Sequence, residues 1–506
     1  MKKYLICLLI VVVCTGQYGC KKFLEVTPID KLSGITFWQS QSDVDAFATD
    51  IYAQFRNKLT STEFMPAIGE LRAGYVLPAT VANNNSAGEK NLRLVYNAFA
   101  ANNLRASNGG VLDPTQAWSG IGLSNITKWY EFYSVIQDAN IMYDRVNKGV
   151  PGVTAADRKR YMAEAIFLRC FTYFYMVRIY GDVTYYTQPY QQDPLPRMNF
   201  VTVLNKCIAE LAPVKNDLPV AYPDPALLAI RATRGAADDL LMNMNMWNAG
   251  FDQANQATYY QNTADLGAEI IASNTYQLLP LENFDQVMRG KSTEGIFEFA
   301  QNVNYEGAPN VRAFFGEMML RSPNSNNTSS NAYFLATYLQ RLYPTGIADK
   351  RFDLWFDNTW LSQNGSFQLL KFKGSIIPAT GVPEWGFIMF RYAEAILLRA
   401  EALAGLGNDA EAAKMLNMIR SRAGAPAYAG PGGQDLQDAI FNERCKELMG
   451  EGYLYFDLIR TRRILNSQWT PNYLTQDQFD KGGWTWPIDV SALYNNPYMS
   501  LNTYWQ

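Results

Sequence analysis

Along residues 391–424, "RYAEAILLRAEALAGLGNDAEAAKMLNMIRSRAG", apolar or small side chains recur at Tyr392, Ile396, Ala400, Leu403 and Leu406. That spacing of three to four places them on one face of a helix. Gly405, Gly407 and Asn408 break the run, and a second begins with Asp409 near its N-terminus and Ala412, Leu416 and Ile419 on its inner face. The stretch therefore predicts two helices folded back on each other.

Upstream, 127–147 and 154–180 read as long amphipathic helices joined around Pro151 and Gly152. Residues 233–248 and 258–272 form another pair around Gly250, with further helices at about 200–212 and about 40–57. With Gly407 set at the turn of a tetratricopeptide repeat, Ile396, Ala400, Leu403, Ala412 and Leu416 fall on its packing positions, while Arg399 and Ile419 depart from them. The expected fold is mainly α: tetratricopeptide-like helix pairs over about 40–57, 127–180, 200–273 and 391–460, stacked into a superhelix. Trp129 and Trp247 are assigned to its buried seam.

Residues 61–126 and 281–388 do not follow this period. They are rich in Asn, Gly, Pro and Ser, as in "VANNNSAG" and "RSPNSNNTSSN", and "EGIFEFAQ" at 294–301 alternates as a strand does. A third loop-rich stretch covers about 464–506. Long irregular segments inside a compact domain are functional or disordered. Their aromatics, among them Tyr75, Tyr96, Trp118, Tyr305, Phe314, Phe315, Trp355 and Trp360, argue against disorder.

A net charge of −3 in 506 residues, with Arg460, Arg462 and Arg463 as the dense basic cluster, leaves no nucleic-acid footprint; the cluster reads as a solvated helix end. The chain has no histidine, which excludes Ser-His-Asp and Cys-His nucleophiles, HExxH zinc sites and an imidazole base. A glycosidase needs only two carboxylates, but no acidic pair stands out. No CxxC motif is present, and neither a metal nor a cofactor is expected. Cys170, Cys207 and Cys445 lie in helical apolar sequence and read as buried free thiols, with one disulfide and a spare as the alternative.

Behind Lys2 and Lys3, Tyr4 to Cys14 is an apolar run too short to span a bilayer, the order of a secretory signal. Cleavage after Gly19 leaves Cys20 as N-terminus. This resembles a bacterial lipoprotein signal over 1–19 with Cys20 as the acylated residue, although Gln17 and Tyr18 depart from the usual pattern. Cys14 is a rival site, and an ordinary secretory peptide is the competing reading.

The segment "AIFNERCKELMGEGYLYFDLIRT", 439–461, resembles the ER…EL…EG…DL.R signature of the SusD/RagB family of nutrient-uptake lipoproteins. "AEAIFLRCFTYFYMVRIYGDV" (163–183), the helix pair at 391–424, "WPIDVSALYNNPYMSLNTYW" (486–505) and "FLEVTP" after Cys20 are similar to other parts of that family, with Asp489 and Leu501 as departures. The resemblance implies one SusD-like domain over 20–506, a helical superhelix scaffolding a loop-rich ligand-binding face. It implies a protein that is not an enzyme, anchored by lipid at the outer membrane and exposed at the cell surface. Such a protein captures oligosaccharides, or peptides in some members, for a partner SusC-like TonB-dependent transporter. Glu443, Arg444, Glu447, Glu451 and Asp457 read as a structural ion network, with Arg444, Lys446, Arg460 or Arg399 as cations separating carboxylates four residues apart.

A sugar presents flat C–H faces edged by hydroxyls, so the irregular segments supply the candidates. They are Tyr75, Tyr96, Trp118, Tyr305, Phe315 and Trp360 as stacking faces, and Arg72, Asn83 and Arg312 as polar partners; packing within the loops is the alternative for each. Two or three faces burying roughly 80 Å² each give about 4 to 6 kcal/mol before ordering costs.

Overall fold

The computed structural model describes residues 37–60, 64–80, 124–301, 318–325, 327–375, 385–489, 491–494 and 496–506. Its scaffold runs through α1 (Gln41–Leu59), α2 (Phe64–Gly69), β1 (Val76–Pro78), α3 (Tyr130–Lys148), α4 (Ala155–Tyr180), α5 (Phe200–Leu211), α6 (Arg234–Ala249) and α7 (Gln256–Ala272). It continues with β2 (Gly295–Gln301), β3 (Ala332–Phe334), α8 (Ala336–Leu342), α9 (Lys350–Trp355) and β4 (Trp385–Arg391). The last long elements are α10 (Tyr392–Gly405), α11 (Asp409–Arg422), α12 (Gln434–Glu447) and α13 (Leu454–Arg460).

Each predicted helix pair is present. Ile396, Ala400 and Leu403 of α10 and Ala412, Leu416 and Ile419 of α11 are all buried, and Gly407 takes φ +76° at the turn between them. Thr154 and Thr233 cap α4 and α6 by accepting hydrogen bonds from the backbone N–H groups of Asp157 and Ala236. From Ala163 to Tyr180 every residue of α4 is buried. That explains why its outer turns look so apolar: this helix is enclosed on all sides. Trp129 and Trp247 are buried, as the superhelical seam requires.

The packing order shows how the irregular segments enter. Contacts run α1–α3–α4–α5–α6–α7–α10–α11, with α12 against both α10 and α11. The first irregular segment therefore interrupts the stack between α1 and α3, and the second between α7 and α10. The two are tied together: β1 from the first pairs antiparallel with β3 from the second, Val76 opposite Phe334 and Pro78 opposite Ala332. Beyond the strands, the Ala79 N–H donates to the Asn331 carbonyl at 2.9 Å and the Thr80 N–H to the Gln363 carbonyl at 2.8 Å.

The predicted strand at 294–301 is β2, and its antiparallel partner is β4. β4 lies in sequence read as irregular as far as 388. "WGFIMFR" has no alternation because Phe387, Ile388, Met389 and Phe390 are all buried, so a period of two carries no signal there. Cys170, Cys207 and Cys445 are free and buried.

Candidate functional site

Glu443 and Glu447 sit one turn apart on α12, where like charges repel unless cations intervene. Arg351, at the start of α9, stands between them. Its Nη2 donates to Glu443 at 2.5 Å, its Nη1 to Glu447 at 3.1 Å, and its other edge to Asp349. Arg391 donates to Glu447 and Glu294 at 2.8 Å and to Glu451 at 2.7 Å. Arg422 closes on Glu447, and Lys371 on Glu451. Arg444 holds Asp457 at 2.9 Å and Glu394 at 3.3 Å, and Arg460 holds Asp457 and Glu401.

Of the expected cations, Arg444 and Arg460 take part as read, and Lys446 reaches Asp349 at 3.5 Å. Arg399 lies elsewhere, donating to the Ala264 carbonyl and facing Glu411. Arg351, Lys371, Arg391 and Arg422 were not legible, because they come from other parts of the chain. Arg462 and Arg463 also correct the solvated-end reading. The first lies over Phe251 and Phe479, and the second over Phe441 and Trp469 with Asp438 as its ion partner.

Burial alone would raise the Glu447 carboxyl, but Arg422, Arg391 and Arg351 hold it well below the usual carboxylate range. Burial likewise pushes Glu451 and Asp457 up, but the adjacent cations outweigh it and hold both below the usual carboxylate range. These acids are ionised, paired and internal. Burial pushes Glu70 up to about 8 and Glu298 to about 7, the right direction for a proton donor. The cavity beside Glu70, walled by Met65, Met288 and Phe372, measures only about 30 Å³, room for about one water and not a sugar. The signature cluster thus supports the fold, as expected.

The candidate ligand contacts separate into groups. Arg72 is fully buried: its Nη groups donate to the carbonyls of Gly483, Trp484 and Thr485 at 2.8–3.0 Å, and the cation lies over Tyr455. It serves as an internal tie, a correction to its reading as a polar ligand partner that follows from its position in a 3₁₀ turn under the C-terminal segment. Tyr75 is buried too, stacked on Tyr338 at 3.9 Å with its hydroxyl donating to the Trp469 carbonyl. Trp360 is partly exposed and meets Phe352 edge-on at 5.4 Å, which leaves ring surface available. Asn83, Tyr96, Trp118, Tyr305, Arg312 and Phe315 lie outside the described residues.

Sequence reasoning passed over Arg341, an exposed cation 5.3 Å from the rings of both Tyr75 and Tyr338. Its spacing of three from Tyr338 on α8 was the available signal. Among the described residues no cluster of His, Cys, Asp or Glu is arranged to hold a metal, and no helix is long and apolar enough to cross a membrane.

A solved SusD homologue from Bacteroides thetaiotaomicron VPI-5482 is 35% identical to this chain, matches 93% of it over the whole of its own length, and superposes with a TM-score of 0.83. The chain belongs to the SusD family. The SusD family model matches residues 355–505, which contain α10–α13 and the ion network apart from Glu294, Asp349 and Arg351. A second family model, described as starch-binding associating with outer membrane, matches 73–245. SusD-like protein P38 of Formosa agariphila is 25% identical over 96% of this chain and 95% of its own. A surface glycan-binding protein A from Bacteroides uniformis shares the SusD-family fold at 20% identity, with a TM-score of 0.66 over 91% of this chain. Members of the SusD family are binding proteins, and the fold predicted from helix periodicity is the family's fold.

Proposed function

We propose that this chain is a lipid-anchored outer-membrane protein that captures glycan oligosaccharides and delivers them to a partner SusC-like TonB-dependent transporter. The observation that carries the reading is family membership, together with the match of 73–245 to starch-binding proteins associating with the outer membrane. The architecture supports it: two irregular segments are inserted into a rigid helical stack and fastened to each other by β1 and β3. A scaffold of that kind holds loop side chains in place before ligand arrives, which reduces the ordering cost of binding.

Trp360, Tyr96, Trp118, Tyr305 and Phe315 are the proposed stacking faces, Asn83 and Arg312 the polar partners, and Cys20 the acylated residue. The test is a mild-detergent pull-down of the tagged, lipid-bearing protein from its native membrane, with retention on immobilised glycans measured beside it. A stoichiometric barrel partner and a co-purifying oligosaccharide are expected, with retention falling at least tenfold when the five aromatics are changed to Ala. A co-purifying peptide would reassign the cargo, and a protein recovered alone with unaltered retention would refute the transporter role and the residue set. Cys20→Ala should move the protein from the membrane to the soluble fraction; persistent attachment would overturn the anchor.

A further inference from the structure

Where α6, α7, α10 and α12 meet the end of α13 there is a cavity of about 270 Å³, near the lower end of the ~300–1,000 Å³ range of small-molecule sites. Its wall contains no residue of the two irregular segments, so it is independent of the loop-borne site proposed above. Most of the lining is polar, and much of it lacks a partner. The Tyr260 hydroxyl and the side-chain amides of Gln253 and Gln437 make no hydrogen bond among the described residues, although all three line the cavity.

Three arginines line this wall, and two of them are held in direct ion pairs. Arg460 is neutralised by Glu401 and Asp457, and Arg463 by Asp438. Arg462 makes no direct ion pair among the described residues, and Asp480 is the carboxylate that acts on it from farther off. Its Nε donates to the Gly250 carbonyl at 2.9 Å, and its guanidinium is held against Phe251 and Phe479, 4.8 and 4.4 Å from their ring centres. The planar group is fixed in place while its two Nη nitrogens make no hydrogen bond. A guanidinium fork whose two Nη nitrogens have no hydrogen-bond partner among the described residues matches the two oxygens of a carboxylate. Around it, the free amides and phenol offer donors and acceptors for hydroxyls, and Phe441 gives an apolar wall for C–H groups.

We propose that this cavity binds a sugar carboxylate of the hexuronate class, with Arg462 on the carboxylate and Gln253, Tyr260 and Gln437 on the hydroxyls. The test is calorimetric titration of the full-length Cys20→Ala protein with D-glucuronate and D-galacturonate, against glucose and inorganic phosphate. Saturable binding of at least one uronate is expected, at least tenfold tighter than glucose or phosphate. Arg462→Gln should weaken it at least tenfold, and Tyr260→Phe about threefold, with thermal midpoints recorded for both. If Arg462→Gln does not fold, Tyr260→Phe combined with Gln253→Leu carries the test, with a tenfold loss expected. Uronate binding no tighter than glucose, preference for phosphate, or uronate affinity unchanged in the folded variants would overturn the proposal. None of these outcomes bears on glycan retention by the loop aromatics, so the two readings fail separately.

Discussion

Replacing Glu447 by Gln keeps the shape of the side chain and removes its charge from the centre of the ion network. Three guanidiniums converge on that carboxylate: Arg391 at 2.8 Å, Arg351 at 3.1 Å, and Arg422. Breaking a buried ion pair from one side costs ~3–5 kcal/mol, because the remaining charge stays desolvated. Arg391 retains Glu294 and Glu451, Arg351 retains Asp349 and Glu443, and Arg422 retains Glu294. That residual compensation places the loss near the lower end, about 3 kcal/mol. A chain of this size has a urea m-value above the ~1–3 kcal/mol/M of small proteins, so the unfolding midpoint should fall by roughly 0.5–1 M. Glu411→Gln is the control, since its contacts with Arg399 and Lys414 at 3.7 and 3.5 Å are partly exposed and worth under ~1 kcal/mol. The pH dependence follows from the same geometry. Glu447 titrates below the ordinary carboxylate range when folded and near ~4.3 when unfolded. Its stabilisation is complete above the unfolded value and is lost as pH falls towards the folded one. The variant should therefore show a shallower loss of stability between about pH 5 and 3 than the parent. A Glu447→Gln midpoint as close to the parent as that of Glu411→Gln, with an unchanged acid limb, would refute the account of the network.

Gly69→Ala should cost about 3 kcal/mol or more, because the added Cβ would lie 2.4 Å from the Cα of Gly452 and must push α2 away from the α12–α13 turn; a thermal midpoint within 1 °C of the parent, to about that precision, would contradict the packing. In the Cys20→Ala mature chain, a thiol reagent at about pH 8 should label nothing in the native state and three cysteines after denaturation. Cys170, Cys207 and Cys445 are all buried, and burial pushes the Cys445 thiol up to about 12. Rapid labelling of any one of them in the folded protein would show that its helix opens readily.

The helical stack was legible because its period is local: Ile396, Ala400 and Leu403 announce a buried face within one turn of each other. Register across the stack was not. Arg391 and Glu447 are 56 positions apart, and Arg351 and Glu443 are 92 apart. No local pattern joins them, so four of the network's cations and the carboxylates of Glu294, Asp349, Glu394 and Glu401 are not legible, while Glu443, Glu447, Glu451 and Asp457 are. β4 was missed for a different reason, since a strand buried on both sides has no alternation to detect. The site candidates show the limit of composition. Arg72 and Tyr75 lie in irregular sequence as Trp360 does, yet the turn that carries them passes beneath Trp469 and residues 483–485, and their polar groups are taken up by main-chain carbonyls there. Exposure depends on what later covers a loop, and that information is hundreds of residues away.

That distance also orders events in time. The carbonyls that receive the Arg72 guanidinium lie more than 400 positions downstream. At synthesis rates of ~5–20 residues per second, they emerge roughly 20–80 s after it. Throughout that interval the Arg72 turn lacks the carbonyls that its guanidinium finally meets, and contacts of such long sequence separation are the slow ones to form. The carboxyl-terminal tail thus acts as a latch on the turn that carries Arg72, a closure that has to wait until the chain is almost complete.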